Sequence, residues 1–381
     1  MRAKVLKIVY FVGLAVAILL ILSFAFQLEL PAPTGPFAVG QTVFRWVDTT
    51  RPEVLTENPN DFREIMALVW YPAENGTGTK SAYFPGLSNV SGALAESGEV
   101  ESWKVFGLQF VRSQNLFNAN PVKSDAPFPI LIFSPGNGTN IEFYNSLASE
   151  IASHGYIVVG LNHPYDVAAV ELSDHKIAQF YKEQETLEMS AHEAFIAERI
   201  KVRTADVLFV LNQLENLNSS AKSPFAEMLD LDSVAVGGHS LGGITASEVC
   251  KADARFRACL NLDGIQRGGP FSTEATATPP EQPFLFLTKE SQFPLKLIEK
   301  FESTTTSYWV VIQYAMHESF TDGPLLQPSL LPISNRADRI MSLIQKYTLA
   351  FLDQTLKGRA SNLLSKSVHL QEVSVQVYPS H

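Results

Sequence analysis

The tightest constraint on this chain comes from five residues in a row. Gly238, His239, Ser240, Leu241 and Gly242 form a G-x-S-x-G pattern. A strand-like apolar run at residues 233–237 (SVAVG) leads into it, and a helical stretch at residues 244–251 leads out. Turning from strand to helix in so few residues forces the central residue into a strained backbone conformation. It also leaves no room for side chains at the flanking positions, which are glycines. The serine is thereby lifted to the tip of a sharp bend. The following helix turns its N-terminal N–H groups and positive dipole end toward it. A serine so placed is a candidate nucleophile.

The rest of the chain supplies a sheet for that bend. Residues 37–47 and 64–71 are expected as two early strands. Residues 129–134, 156–161, 233–237, 258–262, 283–287 and 308–314 are short apolar runs of strand length. Continuous rather than alternating hydrophobicity marks strands covered on both faces. Helical patterns fall between them, at residues 140–153, at residues 190–217 and around Ile340, Leu343, Ile344, Tyr347 and Phe351. Ser190 and Glu193 form an expected capping box at the start of the second helix. Strands alternating with helices imply an α/β three-layer sandwich with a mostly parallel sheet. Residues 75–125 and 164–189 break this rhythm and are expected as pocket walls or surface connections.

A serine hydroxyl needs a base, and the base needs an orienting acid. In strand–turn–helix hydrolases the chain order is serine, acid, histidine. Only His317, His369 and His381 follow Ser240. His317 comes just after the strand at 308–314, whereas the other two lie beyond the last helix, so His317 is the expected base. Two carboxylates end suitable strands, Asp263 and Glu290. Asp263 is favoured because Gly264 after it eases the turn. Stabilising the oxyanion takes two backbone N–H donors. Leu241 is expected to give one, and the loop Pro135-Gly136-Asn137-Gly138 the other. Pro135 has no N–H, and Asn137 is the expected donor. This chemistry requires no metal and no organic cofactor.

The N-terminus poses a separate question. Arg2, Lys4 and Lys7 precede residues 8–26, a stretch without charge. As a helix this stretch would measure about 28 Å, near the hydrocarbon thickness of a bilayer. Residues 1–30 are expected as an uncleaved signal anchor, the basic end cytoplasmic and the catalytic domain of residues 31–381 outside. The alternative is a secreted protein whose signal is cleaved. Pro31, Pro33, Gly35 and Pro36 would form a stiff stalk. Cys250 and Cys259 are either a disulfide or two buried thiols. With a net charge of −10, the chain lacks the basic surface a nucleic-acid partner requires. No obligate protein partner is evident.

Several segments together resemble the platelet-activating-factor acetylhydrolase family, the lipoprotein-associated type of phospholipase A2. These are PTGPFAVG, FSPGNG, LASHGYIVVGLNHP, GHSLGG, NLDG and MHESFTD, spread between about Thr34 and Leu356. The resemblance implies an α/β-hydrolase fold, a triad of Ser240, Asp263 and His317, and ester hydrolysis without calcium. It favours Asp263 over Glu290, because the family's acid lies on the strand directly after the nucleophile helix. Pro135 departs from the family, where histidine is common. The implied substrates are phospholipids with short or oxidised sn-2 chains.

An anchored enzyme would meet such substrates in the membrane. Trp103, Phe106, Leu108, Phe110 and Val111, or Leu325, Leu326, Leu330 and Leu331, are candidate apolar contacts with lipid, or else core. A general carboxylesterase or polyester hydrolase is the second reading. A peptidase of the prolyl-oligopeptidase type would need a propeller domain, which the chain lacks. In another class altogether stands an inactive, membrane-anchored binding protein.

Overall fold

The computed structural model describes residues 7, 9–14, 16–17, 29–264, 281–290, 306–327, 333–365 and 370–378. In chain order the elements are β1 (Ala38–Pro52), β2 (Phe62–Ala73), β3 (Thr79–Ala82), α1 (Leu87–Ser97), α2 (Ser102–Leu108), β4 (Arg112–Phe117) and β5 (Phe128–Ser134). There follow α3 (Asn145–Ser153), β6 (Ile157–Asn162), β7 (Ala169–Glu171), β8 (Ile177–Gln179), α4 (Met189–Ser219), β9 (Leu229–His239), α5 (Leu241–Ala252) and β10 (Phe256–Leu262). The chain continues with β11 (Phe284–Lys289), β12 (Ser307–Ile312), α6 (Ile333–Leu356) and β13 (Val373–Tyr378).

Eleven strands form one sheet in the order β13-β12-β11-β10-β9-β5-β6-β2-β1-β4-β3. Its centre, from β12 to β6, is parallel. β2 joins β6 antiparallel, and β13 caps the other side antiparallel to β12. Side chains alternate across the central strands. Leu131 and Phe133 of β5 face one core layer with Leu147 and Ile151 of α3 and Ile344, Tyr347 and Phe351 of α6. Ile130 and Ile132 face the other layer with Val207, Val210 and Leu211 of α4 and Val249 of α5. The two-residue period of a strand thus feeds two helical layers.

The chain moves from β5 to β6 on one side and later returns to place β9 on the other side of β5. Such a reversal opens a crevice at the carboxyl ends of the strands. Ser134 pairs with Gly238, and Gly238 with Asn261, so β5, β9 and β10 end level there.

Some elements differ from the sequence expectation. α4 begins at Met189 with Glu188 as its N-cap and no side-chain cap. Ser190 therefore lies inside the helix, and the capping box with Glu193 does not form. β3, β4 and β13 were not foreseen, because they are short, partly polar strands near or at the sheet edges. Residues 75–125 hold β3, α1, α2 and β4 around a third apolar cluster that includes Tyr83, Phe84, Leu94 and Leu108. Of the expected membrane span, residues 9–14 and 16–17 are helical and the remainder lies outside the described residues. Among the described residues no helix is long and apolar enough to cross a membrane. His369, His381, Leu330 and Leu331 also fall outside them.

Cys250 of α5 and Cys259 of β10 are joined by a disulfide, and both are buried. The bridge closes a short loop, and in the chain-entropy picture such a loop is worth about 2–3 kcal/mol. Replacing both cysteines by alanine is expected to lower the unfolding free energy by at least that amount, read as an earlier urea midpoint.

Candidate active site

Ser240 sits between β9 and α5 at φ 53° and ψ −121°. A non-glycine residue holds such a conformation only where its surroundings impose it. Here they do. A Cβ on Gly242 would lie 2.0 Å from the Ser134 carbonyl oxygen, and one on Gly238 would lie 2.3 Å from the Gly242 carbonyl carbon. The Ser240 N–H donates to Leu262 O at 2.9 Å, and its own carbonyl accepts from Gly243 and Ile244. The elbow is thus pinned from the neighbouring strand and from the helix it opens.

The structure brings His317 to Asp263. His317 Nδ1 lies 2.6 Å from Asp263 Oδ2. An imidazole that gives its Nδ1 proton to a carboxylate keeps Nε2 as its basic nitrogen. The other carboxylate oxygen of Asp263 accepts from the Lys289 N–H at 3.3 Å. Glu290, the rival carboxylate, is exposed at the end of β11. The sharp turn falls on Asp263 itself, at φ 49°, and not on Gly264 as the sequence suggested. Gly264 is needed for space, since a Cβ there would meet Asn261 Oδ1 at 2.4 Å and Ser240 O at 2.6 Å. Asn261 Oδ1 also accepts the Gly264 N–H at 2.7 Å and so holds the turn.

His317 stands at the start of a short 3₁₀ turn. Ser319 Oγ accepts the Met316 N–H at 2.9 Å, closing that turn. Five residues after His317, buried Asp322 accepts from the Ser146 N–H at 3.2 Å and from the Tyr83 hydroxyl at 3.1 Å. Its own N–H donates to Phe143 O. One carboxyl therefore links the histidine loop to α3 and to the third cluster. Burial pushes this carboxyl up to about 7, although its hydrogen bonds pull the other way.

Ser240 and His317 line a pocket of about 730 Å³ together with Asn137, His239, Trp103, Leu108 and Phe143. Around the expected oxyanion loop, Gly136 N–H donates to Tyr144 Oη at 3.0 Å and Gly138 N–H donates to Asp166 O at 2.8 Å. Among the described residues no hydrogen bond engages the N–H of Asn137 or of Leu241. The Asn137 side chain is tied off instead, its Nδ2 donating to Gln184 Oε1.

Sequence reasoning passed over His239, although it stands inside the motif. It is buried, and Tyr144 Oη lies 2.8 Å from its Nδ1. Its ring is 4.4 Å from that of His317 and stacks on Phe320. Burial, and after it the nearness of His317, keeps His239 well below the ordinary histidine range, so it is neutral. Nothing in a lone sequence marks a spacer residue as a ring platform. Of the proposed lipid contacts, Trp103, Phe106 and Phe110 are exposed, whereas Leu108 and Val111 are buried. Leu325 and Leu326 are partly buried against the third cluster.

Two outcomes follow from this geometry. Gly242→Ala is expected to abolish activity while circular dichroism reports either a rearranged elbow or a destabilised fold. Asp322 titrates near 7 in the fold and near 4 when unfolded, so its stabilising contribution is complete below pH 4 and is lost as pH rises through about 7. Asp322→Asn should flatten the fall in urea midpoint between pH 4 and 7; an unchanged slope would assign that fall elsewhere.

Comparisons with known proteins agree with one another. The family described as platelet-activating factor acetylhydrolase, isoform II, matches residues 22–366. A platelet-activating factor acetylhydrolase of Cavia porcellus is 27% identical over 376 residues, covering 89% of this chain and 80% of its own. A protein of Arthroderma benhamiae named "probable 1-alkyl-2-acetylglycerophosphocholine esterase" is 27% identical over 267 residues, covering 67% of this chain and 64% of its own. Among solved structures, a ferulic acid esterase from Streptomyces cinnamoneus superposes with a TM-score of 0.71 at 25% identity, covering 92% of this chain and 99% of that one. Matched along nearly its whole length by that family's pattern, the chain belongs to the platelet-activating factor acetylhydrolase, isoform II, family.

Proposed function

We propose that this ester hydrolase removes short or oxidised sn-2 acyl chains from phospholipids at a membrane surface, with Ser240 as nucleophile, His317 as base and Asp263 as its orienting acid. The observation that carries this reading is the 2.6 Å contact between His317 Nδ1 and Asp263, at a pocket that also presents Ser240 on its strained elbow.

Each step uses a group already described. Ser240 Oγ attacks the ester carbonyl as its proton passes to His317 Nε2. Asp263 stabilises the imidazolium so formed. Because His239 is neutral, the ring packed on His317 adds no opposing positive charge. The carbonyl oxygen, now negative, is held by the N–H groups of Leu241 and Asn137, and α5 adds the positive end of its dipole. His317 then protonates the leaving lysophospholipid hydroxyl. Water, deprotonated by the same ring, releases the acyl group as a carboxylic acid and restores Ser240.

Access from a membrane is supported by Trp103 on the pocket wall, with Phe106 exposed on the same helix and Phe110 just past its end. A domain outside the cytoplasm is supported by the Cys250–Cys259 disulfide, a bond that persists in oxidising compartments. Residues 8–26 would anchor it, with Arg2, Lys4 and Lys7 on the cytoplasmic side; secretion after signal cleavage is the other arrangement. A general carboxylesterase is the second reading, favoured by the likeness to a ferulic acid esterase.

Purified full-length protein should be assayed on a phosphatidylcholine with an sn-2 acetyl group, one with an sn-2 palmitoyl group, a p-nitrophenyl ester series and methyl ferulate. The proposal expects the acetyl phospholipid to be cleaved with the highest kcat/KM. Methyl ferulate or long-chain p-nitrophenyl esters leading the series would install the carboxylesterase reading instead. Ser240→Ala should lose roughly 10⁴-fold or more in kcat; full activity in that variant would end both readings.

A further inference from the structure

The loop Pro135–Gly138 is secured from beneath by a buried ionic cluster that the reaction itself does not touch. Arg203 of α4 is fully buried. Its Nη1 donates to Pro135 O at 2.9 Å, its Nε to Asp166 Oδ2 at 3.1 Å and its Nη2 to Asp166 O at 3.3 Å. That same Asp166 carbonyl accepts the Gly138 N–H. One guanidinium therefore grips the loop at its first residue directly and at its fourth through Asp166. Arg199, a turn earlier on α4, completes the carboxylate with contacts of 2.7 and 3.1 Å but makes no hydrogen bond to the loop.

A buried charge is costly unless paired and hydrogen-bonded, so burial of two arginines under four loop residues calls for a reason. Fold stability is a poor one, because such clusters are often replaceable by apolar packing. Geometry is a better one. Pro135 O, Gly136 N–H and Gly138 N–H are all held, by Arg203, Tyr144 and Asp166 respectively. Clamping the peptides on both sides fixes the plane of the peptide between Gly136 and Asn137, and with it the direction of the Asn137 N–H.

We infer that Arg203, together with Asp166, is a positioning pair that aims the Asn137 N–H at the oxyanion formed on Ser240. Its planar fork serves two carbonyls and a carboxylate at once, a geometry that lysine's single ammonium does not reproduce. The inference rests on the proposed acyl-transfer reading, and Ser240→Ala separates the two. If that variant stays active, the reading itself fails. If it is dead while Arg203 variants are normal, only the positioning role fails.

The test compares Arg203→Lys, Arg203→Gln and Arg199→Lys with the parent, using p-nitrophenyl acetate as substrate. An aryl trifluoromethyl ketone serves as the transition-state probe, since addition of Ser240 to it leaves a negative oxygen in the hole. A displaced donor is expected to cost roughly 10²-fold in kcat, with KM within threefold and probe Ki weakened in proportion to kcat/KM. Arg199→Lys is expected to lower the melting temperature comparably while keeping kcat within threefold. Unchanged probe Ki in the Arg203 variants, or equal losses of kcat in the Arg199 variant, would overturn the role. Should neither Arg203 variant fold, Asp166→Asn keeps the carbonyl that Gly138 uses and loosens the arginine; normal kcat and Ki there would overturn it equally.

Discussion

Everything at this site depends on backbone touching backbone. The elbow at Ser240 exists because the Ser134 carbonyl of β5 presses against Gly242, leaving no volume for a side chain. That single close approach sets three things together. It places Ser240 at the reversal point of the sheet, it brings Gly242 against the backbone of Ser134 and Pro135, and it holds the start of α5 against β5. The strain at φ 53° is held by the hydrogen bonds of the Ser240 backbone to Leu262, Gly243 and Ile244, with the two core layers packed behind them.

Around that contact the polar groups divide by distance from the chemistry. His317, which lines the pocket, is bonded to Asp263 behind it. Behind them come groups that hold backbone: Asn261 under the Asp263 turn, Tyr144 on Gly136, and Asp322 between the histidine loop and α3. Farther in, Arg63, Asp206 and His163 form a buried set reaching Ser134, the last residue of β5. Burial takes His163 down to about 4, so it is neutral there, an acceptor or donor by tautomer rather than a charge.

The candidate site was legible in the sequence to the extent that chemistry dictates position. A nucleophile needs an elbow, a base must come later in the chain on a strand-end loop, and few residues qualify. Gly264 favours Asp263 over Glu290 in the sequence, yet the turn falls on Asp263 itself at φ 49°, which no residue type announces. The central strands were legible because both faces are apolar. β13, with its polar Ser374 and Gln376, was not, since an edge strand owes its structure to its neighbour's hydrogen bonds. Arg203 and Asp166 were invisible for a similar reason. Their partners include backbone carbonyls at Pro135, sixty-eight positions away, and sequence patterns carry no mark of such contacts.

The pocket is assembled from two parts of unlike origin. Its floor, with Ser240, belongs to the sheet and shares the sheet's packing. Much of its wall, including Trp103 and Leu108, belongs to the segment between β2 and β5, which packs around the third apolar cluster with Leu30, Ala168 and Ala169. The two meet where the Tyr83 hydroxyl donates to Asp322 of the histidine loop, so selection for a new acyl donor can rewrite the wall as long as that bond is kept. An evolutionary or laboratory search confined to the wall between Glu99 and Val111 would explore new ester scope while leaving the elbow and the Tyr83–Asp322 bond untouched.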